Sequence, residues 1–231
     1  MRKYVVIAVG AGILAIAAGF GIWNTRAGQN WLLEQAATAV MQRQPPMSEF
    51  DGLQVFMCGT SSPLPAPGRA QACVAVLAGK ALYVIDAGAG SAQVATLAAL
   101  PLERLEAVFL THFHSDHIAA VPEFNLKSWV AGRPKPLAVL GPAGITEVVD
   151  GLNAAYRLDR TYRVAHHGAA LLPPEIGGMQ SNLMEAGTKL SLGDLTVTSF
   201  AVNHDPIRPA VAYRFDYRGR SVVISGDAIV E

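Results

Sequence analysis

The chain has 231 residues, of which 51% are hydrophobic and 16% are charged, so it is long enough to form a domain with a sizeable core. Its 18 lysines and arginines balance 18 aspartates and glutamates, which gives a formal net charge of zero. This balance excludes a strong overall positive field that would gather a polyanion. We therefore expect no nucleic-acid partner.

The first 26 residues indicate a membrane anchor or an uncleaved signal. Residues 4–23 are uncharged and almost wholly apolar, and a helix of this length spans about 30 Å, the thickness of a bilayer core. Arg2 and Lys3 precede this segment, which favours a cytoplasmic N-terminus and a domain facing the periplasm or exterior. We therefore expect an inner-membrane location, with membrane contact through residues 4–23. A cleaved signal, with secretion to the periplasm, is the alternative.

A helix and a linker are expected over residues 27–52, and the main domain over residues 53–231. Residues 30–44 place apolar side chains on one side of a helix, which the following prolines end. From residue 53 onward, short apolar runs bounded by glycine and proline predict strands, first in succession and then alternating with helices. Residues 141–158 are predicted to form a helix, residues 159–181 a loop, and the segment FDYRGRS a hairpin turn. The fold class is therefore α/β with much antiparallel sheet.

The two cysteines, Cys58 and Cys73, each lie at the end of a strand-like run. The loop between them is rich in turn residues, so adjacent strands could bring the two sulfur atoms together. In an oxidising compartment the pair can form a disulfide. Alternatively, both are small buried hydrophobic side chains. They do not form a zinc site, because no second cysteine pair accompanies them.

The segment THFHSDHIAAVPEF, residues 111–124, contains half of the six histidines of the chain. His112, His114, Asp116 and His117 follow a hydrophobic strand and precede a helix. His112 and His114 face the same side of an extended segment, and Asp116 and His117 lie at the turn into the helix. Imidazole nitrogens and carboxylate oxygens are ligands for zinc and related metals. This spacing predicts a metal site.

Two other strand ends carry residues that can bind a metal. His204 follows an apolar strand in SFAVNHD, and Asp227 follows another in VVISGDA. Both positions occur where a strand runs into a loop, as the histidine cluster does. A carboxylate between two cations can bridge them, and paired metals polarise a shared hydroxide.

These motifs together resemble the metallo-β-lactamase fold superfamily. The resemblance is carried by His-x-His-x-Asp-His, by the upstream VIDAGAG, by the later strand-end histidine and by the SGD aspartate. The segments CGTSSPLP, GPAGI and YRFDYRGRSVVISGD are most similar to the tRNase Z branch. The resemblance extends from residue 53 nearly to the C-terminus. It implies an αββα sandwich, here preceded by the transmembrane helix.

The resemblance also implies a set of functional residues and two zinc ions, with other divalent metals as alternatives. It assigns six side chains to the metals: His112, His114 and His204 to the first, Asp116 and His117 to the second, and Asp227 between the two. Asp116 would also be the catalytic residue in proton transfer. Asp86, in VIDAG, would organise the histidine loop from outside the ligand set.

The sequence departs from the family pattern in two places. Members carry one more histidine well after the bridging aspartate, whereas only AIVE follows Asp227. We therefore expect a fragment of a longer reading frame in which the C-terminal part of the sandwich is missing. The tRNase Z enzymes carry a long basic arm between His204 and Asp227, for which this sequence leaves no room. His166 and His167 match no ligand position and are expected to be loop residues.

The leading functional prediction is a metal-dependent hydrolase. It would use a zinc-bound hydroxide on a phosphodiester or another ester-like small-molecule substrate. A lactonase or an arylsulfatase-like hydrolase of the same fold is an alternative. An iron-dependent oxidoreductase of this fold is a second, although di-iron members usually replace the second histidine of the motif with glutamate, which His114 does not match. An inactive fragment or binding domain that lacks the last metal ligand is a third.

Overall fold

The computed structural model describes residues 25–41, 51–64 and 66–229. The chain divides into two compact units, which meet in sequence between residues 44 and 45. The predicted membrane segment, residues 4–23, lies outside the described residues, as does most of the predicted linker. No helix among the described residues is long and apolar enough to cross a membrane.

The first unit contributes one described helix, α1 (Arg26–Met41). The hydroxyl of Thr25 accepts a hydrogen bond from the backbone N–H of Gly28 at 3.1 Å. This bond caps the start of the helix, because it satisfies one of the first N–H groups that have no partner within the helix. The helix predicted at residues 30–44 is thus present with earlier bounds.

A six-stranded sheet forms the centre of the second unit. Its strands lie side by side in chain order: β1 (Leu53–Gly59), β2 (Cys73–Ala78), β3 (Ala81–Ile85), β4 (Leu105–Phe109), β5 (Leu137–Gly141) and β6 (Met179–Leu183). The first three strands pair antiparallel, and β3 to β6 pair parallel. Parallel strands end at the same edge of a sheet, so the loops after β3, β4 and β5 open together.

A four-stranded antiparallel sheet lies next in the chain. Its strands are β7 (Lys189–Leu192), β8 (Leu195–Ala201), β9 (Val211–Tyr217) and β10 (Arg220–Ile224), and their spatial order is β10–β9–β8–β7. The hairpin predicted from FDYRGRS is confirmed, because Tyr217 pairs with Arg220. Arg218 and Gly219, between them, both have positive φ angles, as a two-residue hairpin turn requires.

Five helices connect the strands of the larger sheet. They are α2 (Ser91–Leu97), α3 (Ser115–Ile118), α4 (Val121–Val130), α5 (Ile145–Ala155) and α6 (Arg157–His167), and one 3-10 turn covers Leu102–Arg104. Pro122 lies in the first turn of α4, where proline is tolerated because its missing N–H would have no helical partner.

The alternation of side chains along each strand separates two cores. In β2, Ala75 and Leu77 pack in the core that contains buried residues of α2, α4 and α5. Val76 and Ala78 point the other way, into the core shared with the four-stranded sheet. The layers are therefore helices, six-stranded sheet and four-stranded sheet.

The aromatic side chains between the two sheets pack edge to face. The ring of Phe109, on β4, lies 5.2 Å from that of Tyr213 and 5.3 Å from that of Phe215, centroid to centroid. Offset and edge-to-face contacts are the favoured geometry for aromatic pairs. These contacts hold the strand that precedes the histidine cluster against the sheet that supplies His204 and Asp227.

The two cysteines are joined. Cys58 is near the end of β1 and Cys73 begins β2, and their Cα atoms are 5.0 Å apart across a disulfide. Both side chains are buried. The disulfide closes the turn-rich loop between the two antiparallel strands.

Two sequence predictions in the middle of the chain are wrong. The predicted loop at residues 159–181 contains most of α6 and the first three residues of β6. The long helix predicted to start after β5 ends at Ala155, and a second helix begins at Arg157. No residue of α6 is buried, and its large apolar side chains Leu158 and Tyr162 are exposed, so this helix does not contribute to either core.

Candidate metal centre

Four of the predicted ligands converge at one point. Ligand atoms of His112, His114, His204 and Asp227 all lie within 4.8 Å of one another. Nε2 of His112 is 3.0 Å from Nδ1 of His114, and the ring centroid of His204 is 4.7 Å from that of His112. Three imidazoles from two sheets therefore point ring nitrogens at the same space.

The state of these imidazoles fits a metal ion. Nε2 of His204 is buried and has no hydrogen-bond partner, which is costly unless a ligand satisfies the atom. Burial and the neighbouring His117 lower the pKa of His112 to about 4, so its ring is neutral near pH 7 and keeps a free lone pair. Neutral imidazole nitrogens with a carboxylate are the donor set of zinc sites.

Asp116 and His117 form a second group next to the first. Both are buried at the start of α3, and Nε2 of His117 lies 3.6 Å from Oδ2 of Asp116. Oδ1 of Asp227 is 3.4 Å from the same nitrogen, while its Oδ2 is 3.9 Å from Nε2 of His204. The carboxylate of Asp227 thus lies between the two groups, where a bridging ligand would be. Its role as a bridge stays a prediction.

Asp86 holds the histidine loop, defined here as residues 111–117, from behind. Its carboxylate accepts hydrogen bonds of 2.8 Å from the backbone N–H of Thr111, from the Thr111 hydroxyl and from Nδ1 of His117. Burial alone would lower the pKa of His117, but the hydrogen bond and charge of Asp86 raise it. Nδ1 therefore keeps its proton, and Nε2 is directed toward the centre.

Thr111 is a residue of the centre that the sequence interpretation did not single out. Its hydroxyl lies between Asp86 and Nδ1 of His112, 3.1 Å from that nitrogen. Its backbone carbonyl accepts a hydrogen bond from the N–H of Val211 in the other sheet. The only sequence signal is its position immediately before the first histidine, and threonine is too common for this to be distinctive.

Two glycines let the loops approach each other closely. A Cβ atom on Gly88 would lie 2.1 Å from the backbone oxygen of Asp116, and one on Gly226 would lie 2.7 Å from the side chain of Thr111. Gly226 also has a φ of 60°, which favours glycine. Only glycine fits at these two positions in VIDAG and SGD, because any larger residue would collide with the histidine loop.

His166 and His167 are remote from this arrangement. They are exposed in the last turn of α6, with ring centroids 4.6 Å apart. They do not belong to the group of potential metal ligands found among the described residues. Their predicted place in a loop is wrong, because they end a helix.

Curated relatives of this chain are ribonucleases Z. The enzyme of Mycobacterium bovis (strain BCG / Pasteur 1173P2) is 36% identical over 180 residues, which cover 77% of this chain and 63% of the relative. The enzyme of Mycobacterium marinum is 35% identical over the same shares. The chain thus spans 63% of the length of the curated relatives that it matches.

Solved structures show the same fold. The metallo-beta-lactamase fold protein YhfI from Bacillus subtilis aligns with a TM-score of 0.58 and 21% identity, over 77% of this chain and 64% of that one. The short form of human tRNase Z aligns with a TM-score of 0.57 and 18% identity, over 75% of this chain and 68% of that one.

Two predictions are corrected by these comparisons. The expectation of no nucleic-acid partner is contradicted, because the curated relatives are named as ribonucleases. The neutral formal charge describes the whole chain only and does not exclude a local cation that binds phosphate. The relatives also contradict the predicted inner-membrane and periplasmic location. That prediction rested on residues 4–23, which lie outside the described residues.

The family assignment rests on more than half of the chain. The model of the metallo-beta-lactamase superfamily matches residues 66–231, which include the histidine loop, His204 and Asp227. The ribonuclease Z relatives and the tRNase Z structure agree with the branch indicated by the sequence motifs. The chain belongs to the metallo-beta-lactamase superfamily.

Proposed function

We propose that this protein is a metal-dependent phosphodiesterase that hydrolyses RNA. The observation that carries the proposal is the convergence of ligand atoms from His112, His114, His204 and Asp227 within 4.8 Å of one another. RNA as the substrate is supported by the 36% identity to a ribonuclease Z. An ester-bond hydrolase is also what the sequence motifs predict.

The residues are suited to two divalent ions, for which zinc is the best match in ligand type. His112, His114 and His204 would hold the first ion, Asp116 and His117 the second, with Asp227 between them. Such a pair polarises a phosphoryl oxygen and lowers the pKa of a bound water.

The protein itself contributes orientation and a proton acceptor. Asp86 fixes the ring of His117 through a hydrogen bond of 2.8 Å, so that this side chain does not have to be ordered during the reaction. Asp116 is buried beside it. We infer that its carboxylate orients the attacking water and accepts its proton, because the carboxylate of Asp86 is already bound to the histidine loop and that of Asp227 lies between the two groups of ligands.

The side of the centre that faces the second sheet is open. The side chain of Asp227 is 45% exposed and that of His204 is 16% exposed, whereas that of His117 is 2% exposed. A polymeric substrate can therefore approach the side chain of Asp227 from the loops that follow β8 and β10.

The test is hydrolysis of a fluorescently labelled RNA oligonucleotide by the full chain, with and without EDTA, and after zinc is added back. We expect activity that EDTA removes and zinc restores. His114→Ala should lower the rate more than about 1,000-fold, because it removes a ligand worth several kcal/mol of transition-state stabilisation. His166→Ala is the matched control, since it changes an exposed histidine remote from the centre, and it should retain the wild-type rate.

Either of two results would contradict the proposal. RNA cleavage that survives EDTA, or that survives His114→Ala, would show that this centre does not carry the activity. Metal-dependent cleavage of bis(p-nitrophenyl) phosphate without any cleavage of RNA would retain the hydrolase and refute the substrate.

A further inference from the structure

A cavity of about 750 Å³ lies beside the metal centre. Most of its lining is small and apolar, with Pro142, Ala143 and Ala210 as examples, and Asn203, Glu185 and Arg208 supply the polar groups. Cavities of about 300–1,000 Å³ accommodate small ligands. This cavity is therefore large enough for a nucleotide. Among the described residues that line it, Arg208 is the only cation.

One short loop connects this cavity to the metal centre. We call residues 202–210 the Arg208 loop. The N–H of Val202 donates to the carbonyl of Ala210 at 3.2 Å and closes the loop, and the N–H of Ile207 donates to the carbonyl of His204 at 2.8 Å within it. His204 and Arg208 are thus fixed four residues apart in the same turn.

The base of the Arg208 loop is anchored to the histidine loop. The N–H of Val211 donates to the carbonyl of Thr111 at 3.0 Å, and the carbonyl of Asn203 accepts from the N–H of Ile229, two residues after Asp227. The position of the cavity relative to the predicted ligands is therefore set by backbone hydrogen bonds. A group bound in it would have a defined distance from the site of cleavage.

The guanidinium of Arg208 can exchange its present hydrogen-bond partner for a phosphate. It donates two hydrogen bonds to the carboxylate of Asp205, at 2.5 and 2.8 Å. Both side chains are exposed, and such pairs are weak because water and salt screen them. The planar guanidinium fits a phosphate with the same two-bond geometry. A phosphate can therefore replace Asp205 at little cost.

We propose that this cavity is a nucleotide subsite in which Arg208 binds an RNA phosphate adjacent to the one that is cleaved. The apolar lining would contact the sugar or base, and Asp205 would hold Arg208 in place when no RNA is bound. The inference rests on the proposed RNA hydrolysis. It explains how a chain with a formal net charge of zero can bind a polyanion next to its metal centre.

The first experiment measures RNA binding rather than turnover. Fluorescence anisotropy of a labelled single-stranded RNA is titrated with the full wild-type chain and with Arg208→Ala, at several salt concentrations. We expect the variant to bind about tenfold more weakly, as for the loss of one charge-assisted contact. Its slope of log affinity against log salt should be smaller by about 0.7, the value for one phosphate of a single strand.

The matched control is Arg214→Ala. Arg214 is also an exposed arginine that forms a two-bond contact with an aspartate, Asp216, but it lies on β9 and does not line the cavity. It should retain wild-type affinity and salt slope. Arg208→Lys keeps the charge and loses the planar fork, so it should keep the salt slope and lose part of the affinity.

A variant of Asp205 should change the RNA affinity in the opposite direction. Asp205→Asn removes the carboxylate that competes with phosphate for Arg208, so RNA should bind several-fold more tightly. This variant and Arg208→Lys decide the question if Arg208→Ala fails to fold, which circular dichroism would reveal. In turnover assays, Arg208→Ala should raise the KM for RNA more than the KM for bis(p-nitrophenyl) phosphate.

The outcomes separate the two proposals. If the wild type cleaves RNA but Arg208→Ala binds RNA as Arg214→Ala does, the subsite is refuted and the hydrolase stands. If affinity falls equally in both arginine variants, the effect is general charge and the subsite is refuted as well. If the wild type neither binds nor cleaves RNA, the proposed function fails and the subsite fails with it.

Discussion

The two sheets contribute to the metal centre in different ways. The histidine loop follows β4, and the side chains of Asp116 and His117 are only 3% and 2% exposed. The second sheet contributes His204 and Asp227, whose side chains are 16% and 45% exposed. One half of the centre is therefore enclosed by protein before any ligand binds, whereas the other half faces solvent.

The difference follows from the position of the strands. β4 lies inside the six-stranded sheet, with β3 and β5 as parallel neighbours, so the loop after it is held on both sides. β10 is the edge strand of the four-stranded sheet, and Asp227 follows it. A central strand presets the geometry of the loop that follows it, whereas the loop after an edge strand is supported on one side only. The comparison teaches that the two halves of the centre differ in how firmly their strands hold them.

The largest effect should come from breaking the enclosed half. Asp86→Ala removes a buried carboxylate that accepts three hydrogen bonds and leaves the N–H of Thr111 and Nδ1 of His117 without a partner. We expect the free energy of unfolding to fall by about 3–5 kcal/mol, since each buried group without a partner costs about 1–3 kcal/mol. Urea unfolding measures this change.

The control for this prediction is Asp216→Ala, which removes an exposed carboxylate paired with Arg214. It should change the urea midpoint very little, because solvent screens the pair. Metal affinity, measured by competition with a chelator, should fall about 10–100-fold in Asp86→Ala only, as for other residues that orient metal ligands. Equal urea midpoints for the two variants would show that the enclosed half does not depend on Asp86.

A smaller loss of stability should follow from a substitution at the contact between Gly226 and Thr111, where the two halves of the centre meet. Gly226 has a φ of 60°, and a Cβ there would lie 2.7 Å from the side chain of Thr111. Gly219 has a φ of 75°, but nothing lies within 4 Å of its Cβ position. Gly219→Ala should lower the free energy of unfolding by about 1 kcal/mol, from backbone strain alone.

Gly226→Ala adds the collision to the same strain, so we expect a total loss of about 2–4 kcal/mol. Thermal or urea unfolding of both variants measures the difference. The collision would also displace Asp227 from the imidazoles, so the metal content per chain should fall in Gly226→Ala only. If the two alanine variants had the same stability and metal content, the close approach of the two halves would be wrong.

The enclosed half of the centre was the easier one to predict from the sequence. His112, His114, Asp116 and His117 are close in sequence, and three histidines with an aspartate in six residues are distinctive by composition alone. His204 and Asp227 lie far from this cluster and are not at strand ends, since each comes three residues after its strand. Their assignment depended on the family resemblance.

Helix α6 and strand β6, which the sequence analysis did not predict, were missed for a common physical reason. Helix α6 buries no side chain, and an ion pair of 2.8 Å between Asp159 and Arg163 links successive turns of it. Edge strand β6 has one buried residue, Met179, and otherwise polar or exposed ones. The strands and helices that the sequence predicted correctly are marked by apolar runs that face a core, whereas neither α6 nor β6 contributes more than one buried residue to a core. Arg208 was missed for a related reason, because a charge count over the whole chain does not show a single exposed cation.

The smallest effect concerns the core between the two sheets, and it is seen only at alkaline pH. Burial and the nearby Glu106 raise the pKa of Tyr83 to about 12. In the unfolded chain this phenol ionises near its ordinary pKa of about 10, so above that pH the folded state binds more protons than the unfolded state. Stability from Tyr83 is therefore complete below about pH 10 and is lost as the pH rises toward 12.

Urea midpoints at pH 9, 10 and 11 should fall for the wild type and fall less steeply for Tyr83→Phe, which cannot ionise. A residual decline should remain in the variant, because burial raises the pKa of Tyr213 as well. Tyr162, exposed on α6, is the control, and Tyr162→Phe should follow the wild-type decline. If Tyr83→Phe also followed the wild type, the buried phenol of Tyr83 would not be a source of the loss of stability at alkaline pH.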